Sequence, residues 1–137
     1  MTELPHLLVK QIMTNTMVTC RPDTALEEVA RMMSDAEVDA VVVVNDTGDL
    51  VGLISQFDLL RLFGQDLSRL RAETCSVKDL IVIGPEESAA AAAQRMLDKR
   101  IHRLIVIDKN DSGTMRARGV ISVSDIIRRM RPSEFAF

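Results

Sequence analysis

The stretch "GLISQFDLL" (Gly52–Leu60) is written again 67 residues later as "GVISVSDII" (Gly119–Ile127). Both read glycine, two aliphatics, serine, two variable residues, aspartate, two aliphatics. Working outward toward the N-terminus, "PDTALEEVARMMSDAEVDAVVVVND" (Pro22–Asp46) lies without a gap over "PEESAAAAAQRMLDKRIHRLIVIDK" (Pro85–Lys109), now at an offset of 63. The offset grows through "KNDSGTMRAR" (Lys109–Arg118), a polar loop in the second copy, where insertions are tolerated. The chain is a tandem repeat.

Each copy spells the same order of elements. "MVTC" and "LIVI" are short apolar runs with β-branched residues and predict strands. Thr24 and Glu27 have the spacing of a capping box ahead of the apolar period Leu26, Val29, Ala30, Met33, which predicts an amphipathic helix. In the second copy "AAAAA" (Ala89–Ala93) fills much of that face with the strongest helix former. "AVVVV" and "RLIVI" predict strands, "NDTGD" and "KNDSGT" predict turns, and "LVGLIS" and "RGVISV" predict the returning strands. "FDLLRLF" and "SDIIRRM" predict a closing helix in each copy. The resulting fold class is α/β (α+β), two β-α-β-β-α repeats. The expected boundaries are one module over 1–137, with repeat one at about 9–64, a linker at about 65–75 and repeat two at about 76–131. A half of about 60 residues is marginal alone, so the two halves are expected to pack through their sheets about a pseudo-twofold axis. The uninterrupted runs "VVVV" and "LIVI" suit strands covered on both faces.

Composition narrows the function. The chain has 137 residues, 47% of them hydrophobic, with no Trp or Tyr and four Phe, so its core is aliphatic. No apolar run approaches the roughly 20 residues needed to span a bilayer, and "MTELPHLLVK" lacks the pattern of a signal segment, so a cytoplasmic protein without membrane contact is expected. Cys20 and Cys75 are isolated, with no metal-ligand spacing, which predicts free thiols and no metal. Net charge is −3, yet residues 1–68 carry 4 Lys/Arg against 11 Asp/Glu and residues 69–137 carry 13 against 9. The basic second half suits an anion, but without interleaved aromatics it argues against nucleic acid. With two His, two Cys, no nucleophile elbow, no GxxxxGK[ST] and no GxGxxG, no catalytic constellation is assembled.

The duplicated pattern resembles the tandem cystathionine β-synthase (CBS) domain pair, or Bateman module, from about Val9 to Met130. The resemblance rests on "VKQIMTNTMVTCRPDTALEEVARMM", on the apolar strand followed by "ND", and on the Gly-Ser-Asp motif in both copies. It implies a non-catalytic regulatory module that binds an adenine nucleotide (AMP, ADP or ATP) or S-adenosylmethionine in clefts between the halves and acts on a separate enzyme or transporter. The alternative is a structural dimerisation or protein-interaction module with degenerate ligand sites. Aligning Lys10 with Lys78 leaves the second copy five residues short, since Lys10 to Pro22 spans 12 positions and Lys78 to Pro85 spans 7, which would alter one cleft.

Ser55-x-x-Asp58 and Ser122-x-x-Asp125 support two readings that can coexist. As capping boxes, each serine is an N-cap and each aspartate sits at N3. As ligand groups, the aspartates accept the hydroxyls of a ribose diol while the serines and helix amides meet phosphate. His102 and Arg103, with Lys99 and Arg100 close in sequence, are expected to reach phosphate, and Ser124 adds a second hydroxyl before Asp125. The first copy places Asp39 and Ala40 opposite His102 and Arg103, and Gln56 and Phe57 in its spacer, with Phe57 read as a core or interface residue. Met13, Met17, Thr19 and Ile83 are the expected lining of the base pocket. The aliphatic final helices point to a homodimer.

Overall fold

The computed structural model describes residues 4–76, 78 and 80–131. Its elements run α1 (Val9–Ile12), β1 (Thr19–Cys20), α2 (Leu26–Ala36), β2 (Ala40–Val44), β3 (Leu50–Ser55), α3 (Gln56–Leu60), α4 (Ala72–Cys75), β4 (Val82–Ile83), α5 (Ala89–Lys99), β5 (Arg103–Lys109), β6 (Met115–Ser122) and α6 (Val123–Met130). They divide into two compact units. Of the described residues, the first-copy unit holds 17–76, 78, 80 and 109–116; the second-copy unit holds 4–16, 81–108 and 117–131.

Each unit has one three-stranded sheet of the same order, β1-β2-β3 and β4-β5-β6. The parallel pairs keep one register: Thr19 faces Val42 and Cys20 faces Val43, as Val82 faces Ile105 and Ile83 faces Val106. In the first-copy unit β2 and β3 are antiparallel, with Ala40 opposite Ser55 and Val43 opposite Gly52. The helix α2 buries Leu26, Val29 and Met33 against Val41, Val43 and Ile54 of that sheet. Its counterpart α5 buries Ala89, Ala92 and Met96 against Ile83, Leu104, Val106 and Ile121. Small alanines at the first two positions let α5 lie close, and the apolar period read from sequence is the one that is buried.

Residues 4–16 lie in the second-copy unit. There the Val9 N–H donates to the Glu87 carbonyl (2.8 Å), Lys10 N–H to Pro85 (3.0 Å) and Ala89 N–H to Leu7 (2.7 Å). The same three bonds occur in the first-copy unit 63 residues away: Ala72 N–H to Thr24 (2.8 Å), Glu73 N–H to Pro22 (2.9 Å) and Leu26 N–H to Leu70 (2.8 Å). The helices α1 and α4 are therefore equivalent leaders, each seated on the body of the other copy. This corrects the expected five-residue gap. Lys10 corresponds to Glu73, not Lys78, and the offset is 63 from Leu7 and Leu70 through both parallel strand pairs.

A second correction concerns the start of α2. Ala25, not Thr24, is the N-cap, with no side-chain bond to the helix, and the Thr24 hydroxyl instead accepts from the Arg21 N–H at 3.0 Å. The leader supplies what the side chain does not, since the Leu70 carbonyl takes the Leu26 amide. In the second copy Glu87 does the work of Thr24, accepting from the Gly84 N–H at 2.7 Å and pairing with Arg95 at 2.8 Å. The Arg95 hydrogen bond holds the Glu87 carboxyl below the usual carboxylate range. Both turns form as read: the Asn45 side-chain carbonyl accepts from the amides of Thr47 and Asp49, and that of Asn110 from the amides of Ser112 and Thr114. Gly48 and Gly113 take the positive φ that closes each turn.

Candidate functional site

Both Ser-x-x-Asp motifs are complete capping boxes at a strand-to-helix junction. In the first copy the Asp58 N–H donates to Ser55 Oγ (3.3 Å), while Asp58 Oδ2 accepts from the Ser55 N–H (2.7 Å) and hydroxyl (2.9 Å). In the second copy the Asp125 N–H donates to Ser122 Oγ (3.2 Å) and Asp125 Oδ2 accepts from the Ser122 N–H (2.9 Å). The remaining oxygen meets an arginine one turn on, Arg61 at 3.0 Å from Asp58 and Arg128 at 3.3 Å from Asp125. Both pairs are written D-x-x-R in the sequence, a spacing that sets the arginine one helical turn after the aspartate.

The copies part at a second oxygen ligand. Asp125 Oδ1 also accepts from the Thr14 hydroxyl, at 3.3 Å. Thr14 arrives on the leader after α1, where its backbone exchanges two hydrogen bonds with Val120 of β6, at 2.8 and 3.0 Å. That crossing answers why the motif begins with glycine: a Cβ on Gly119 would lie 2.4 Å from the Thr14 carbonyl oxygen. The residue 63 positions after Thr14 is Val77, which lies outside the described residues and has no hydroxyl. Nothing local in the sequence marks Thr14, since its partner is 111 residues away.

Asp125 is 5% exposed and is the buried charged residue among those described. A carboxylate offers about four acceptor positions, and three donors occupy Asp125: a firm cap bond on Oδ2 and two long bonds of 3.3 Å on Oδ1. Oδ1 is the oxygen able to exchange partners with a ligand hydroxyl. Ser124 is exposed on the first turn of α6, the helix end where amides and dipole favour an anion. His102 is exposed at the entrance to β5, and its carbonyl accepts from the Val123 N–H at 2.9 Å, just as Asp39 accepts from Gln56 at 3.1 Å. Arg103 is half-buried at the first position of β5.

The second-copy unit thus gathers Ser122, Ser124, Asp125, His102, Arg103, Met13 and Ile83, while Ser55, Asp58, Met17 and Thr19 belong to the first-copy unit. Met13 is half-buried against the core of its unit, and Ile83 is a core residue, 1% exposed. Met17 is half-buried and Thr19 exposed. Cys20 and Cys75 are free thiols. Burial pushes the Cys20 thiol up to about 11, and burial followed by the charge of Asp58 raises that of Cys75. Among the described residues no group of three His, Cys, Asp or Glu is placed to hold a metal ion, and no helix is long and apolar enough to cross a membrane.

The pattern of the CBS domain matches residues 9–64 and again residues 73–132. The chain belongs to the CBS domain family. This CBS pair is 33% identical over 105 residues to human 5′-AMP-activated protein kinase subunit gamma-3, covering 70% of this chain and 21% of that protein. It is 30% identical over 125 residues to homoserine O-acetyltransferase of Methanococcoides burtonii, covering 91% of this chain and 24% of that protein. The chain spans about a fifth to a quarter of the length of these curated relatives. Its fold is shared with the CBS domain pair of protein MJ0100, solved in complex with 5′-methylthioadenosine and S-adenosyl-L-methionine: TM-score 0.78, 23% identity, covering 90% of this chain and 95% of that one.

Proposed function

We propose that this CBS pair is a non-catalytic regulatory module that senses an adenosyl compound, an adenine nucleotide (AMP, ADP or ATP) or S-adenosylmethionine. The observation that carries the reading is Asp125, a buried carboxylate with one oxygen fixed by the α6 cap and the other on two long, exchangeable bonds to Thr14 and Arg128. Such an oxygen accepts a ribose hydroxyl. Ser122, Ser124 and the first amides of α6 face the phosphate or other polar end, with His102 and Arg103 supplying positive charge, and Met13 offers apolar surface for the base. Ser55 and Asp58 form the weaker, first-copy counterpart. The bound names of relatives support the class: a subunit of an AMP-activated kinase and a CBS pair complexed with two adenosyl compounds. The module acts in the cytoplasm as a homodimer and passes its signal to a separate enzyme or transporter.

Calorimetric titration with AMP, ADP, ATP and S-adenosylmethionine tests this. Charged hydrogen bonds contribute about 1.5–3 kcal/mol each, so Arg103→Ala is expected to weaken binding of a phosphorylated ligand about 10-fold to 150-fold. Asp125→Ala is expected to do at least as much and Asp58→Ala less. Asp125→Asn keeps an oxygen for the α6 cap and removes the charge, so it separates ligand loss from helix loss. Full affinity in both Asp125→Asn and Arg103→Ala overturns the assignment.

A further inference from the structure

The chain has two cysteines, and both fall in the first-copy unit. Cys20 ends β1 and is 5% exposed. Cys75 ends α4, half-buried, and packs against the core cluster that holds Cys20. The offset of 63 gives each a counterpart, Ile83 for Cys20 and Ile12 for Cys75. Those two isoleucines are buried together in the core of the second-copy unit. Both members of one equivalent pair are therefore cysteine in one copy and isoleucine in the other, and the chain carries no cysteine elsewhere.

The backbone brings the pair together. Residues 70–73 run antiparallel to residues 22–26: the Leu26 N–H donates to the Leu70 carbonyl (2.8 Å), Ala25 bridges Arg71, the Ala72 N–H donates to Thr24 (2.8 Å) and the Glu73 N–H to Pro22 (2.9 Å). Cys75 stands two residues beyond Glu73, and Cys20 two residues before Pro22. The second copy repeats the bridge as Leu8 with Ser88, and there Ile12 and Ile83 share one cluster. The thiols also feel each other's charge. Burial pushes Cys20 up, a hydrogen bond with the Thr24 side chain offsets part of this, and the charge of Cys75 raises it again; burial and then the charge of Asp58 raise Cys75. A cysteine fills less volume than an isoleucine, so the pair gives up packing at one contact. What a facing pair adds is a bond between the sulfurs.

We infer that Cys20 and Cys75 are a redox pair, closing into an intrachain disulfide under hydrogen peroxide. Cys75, the more exposed, reacts first: its sulfur attacks a peroxide oxygen, the O–O bond breaks, and a sulfenic acid and one water form. Cys20 then attacks Sγ of Cys75, the S–O bond breaks, and the Cys20 proton leaves with the hydroxyl as a second water. Two thiols lose two electrons in total, and one peroxide is reduced to two waters. A dithiol reverses the bond by two exchange steps, itself becoming a disulfide. The closed form ties β1 to α4 beside Asp58, so the first-copy unit carries a redox input of its own.

Oxidation of the reduced full chain with hydrogen peroxide in native buffer, at low micromolar concentration, tests this. The expected product is a single covalent chain lighter by two hydrogens, with no thiol left to alkylate in denaturant, its Cys20 and Cys75 peptides joined in a digest and its mass restored by dithiothreitol. Its thermal midpoint is expected to rise by about 5–10 °C, because the bond closes a long loop of the unfolded chain. In Cys20→Val no resolving thiol remains, and peroxide is expected to carry Cys75 on to sulfinic acid. A wild-type chain whose Cys75 reaches sulfinic acid while Cys20 still alkylates overturns the pairing, as does a disulfide between chains. An intrachain bond that forms only in urea, or that lowers the thermal midpoint, overturns it too, since the fold would not then hold the sulfurs within reach.

Discussion

The two copies share a junction and differ in what reaches it. In each, a serine N-cap and an aspartate at N3 turn a strand into a helix, and an arginine one turn on closes the box. At Asp58 the extra hydroxyl comes from its own Ser55; at Asp125 it comes from Thr14, on the leader that follows α1. The cap is a property of the repeat, and the carboxylate's second hydroxyl partner is a property of its neighbourhood. Divergence has acted on the neighbours: Thr14 against Val77, His102 and Arg103 against Asp39 and Ala40. A duplicated fold can thus keep its scaffold symmetric while its chemistry becomes one-sided.

The sharpest way to break the second copy alone is Gly119→Ala. Its methyl meets the Thr14 carbonyl oxygen at 2.4 Å, so either the strand or the leader must move and the two Thr14–Val120 bonds are strained. A loss of about 3 kcal/mol in urea unfolding is expected. Gly113→Ala is the control, since it has positive φ but no atom within 4 Å of the new methyl, and a loss of about 1 kcal/mol is expected. Equal losses from the two would show that the leader crossing is slack.

The cores also differ, because Cys20 occupies the place of Ile83. The thiol stays protonated to about 11 in the folded chain, against an ordinary value of 9.0. The unfolded chain therefore releases its proton first, and stability that is full below pH 9 falls between pH 9 and about 11, by up to about 1.4 kcal/mol per pH unit. Cys75 adds a loss of the same sign. With no Tyr in the chain, Cys20→Val should flatten much of this decline when unfolding is compared at pH 8 and 10.5. An unchanged decline would assign it elsewhere.

The mildest change makes the second copy resemble the first. Thr14→Val keeps the shape of the side chain and removes the hydroxyl that a ligand would displace from Asp125 Oδ1, so adenosyl-ligand affinity is expected to rise about fivefold, the release of one long hydrogen bond of about 1 kcal/mol. Calorimetry beside Arg103→Ala ranks the two. An unchanged affinity would leave charge as the whole difference between the copies.

The repeat, its strands and both Ser-Asp caps were legible because each is a local pattern written twice. The cap at Thr24 was not, because a tertiary bond replaced it: the Leu70 carbonyl, 44 residues from Leu26, took the amide that a side chain would otherwise serve. The register of the leaders misled for a related reason. Val9-Lys10 resembles Val77-Lys78 in letters, yet the equivalence is set by which backbone sits on Pro22 or Pro85, and that places Lys10 with Glu73. Thr14 carried no signal at all, since its importance comes from a residue 111 positions away.

The exchanged leaders also fix an order of events during synthesis. Residues 7–14 are made before the rest of both copies, but their hydrogen-bond partners are Pro85, Glu87, Ala89 and Val120, so the second-copy unit cannot close until Val120 has been made. The first-copy unit closes earlier, once Leu70, Ala72 and Glu73 have followed Pro22, Thr24 and Leu26. Contacts of such long sequence separation are slow to form. The segment that completes the second unit is made ahead of both repeats and is the last to be seated.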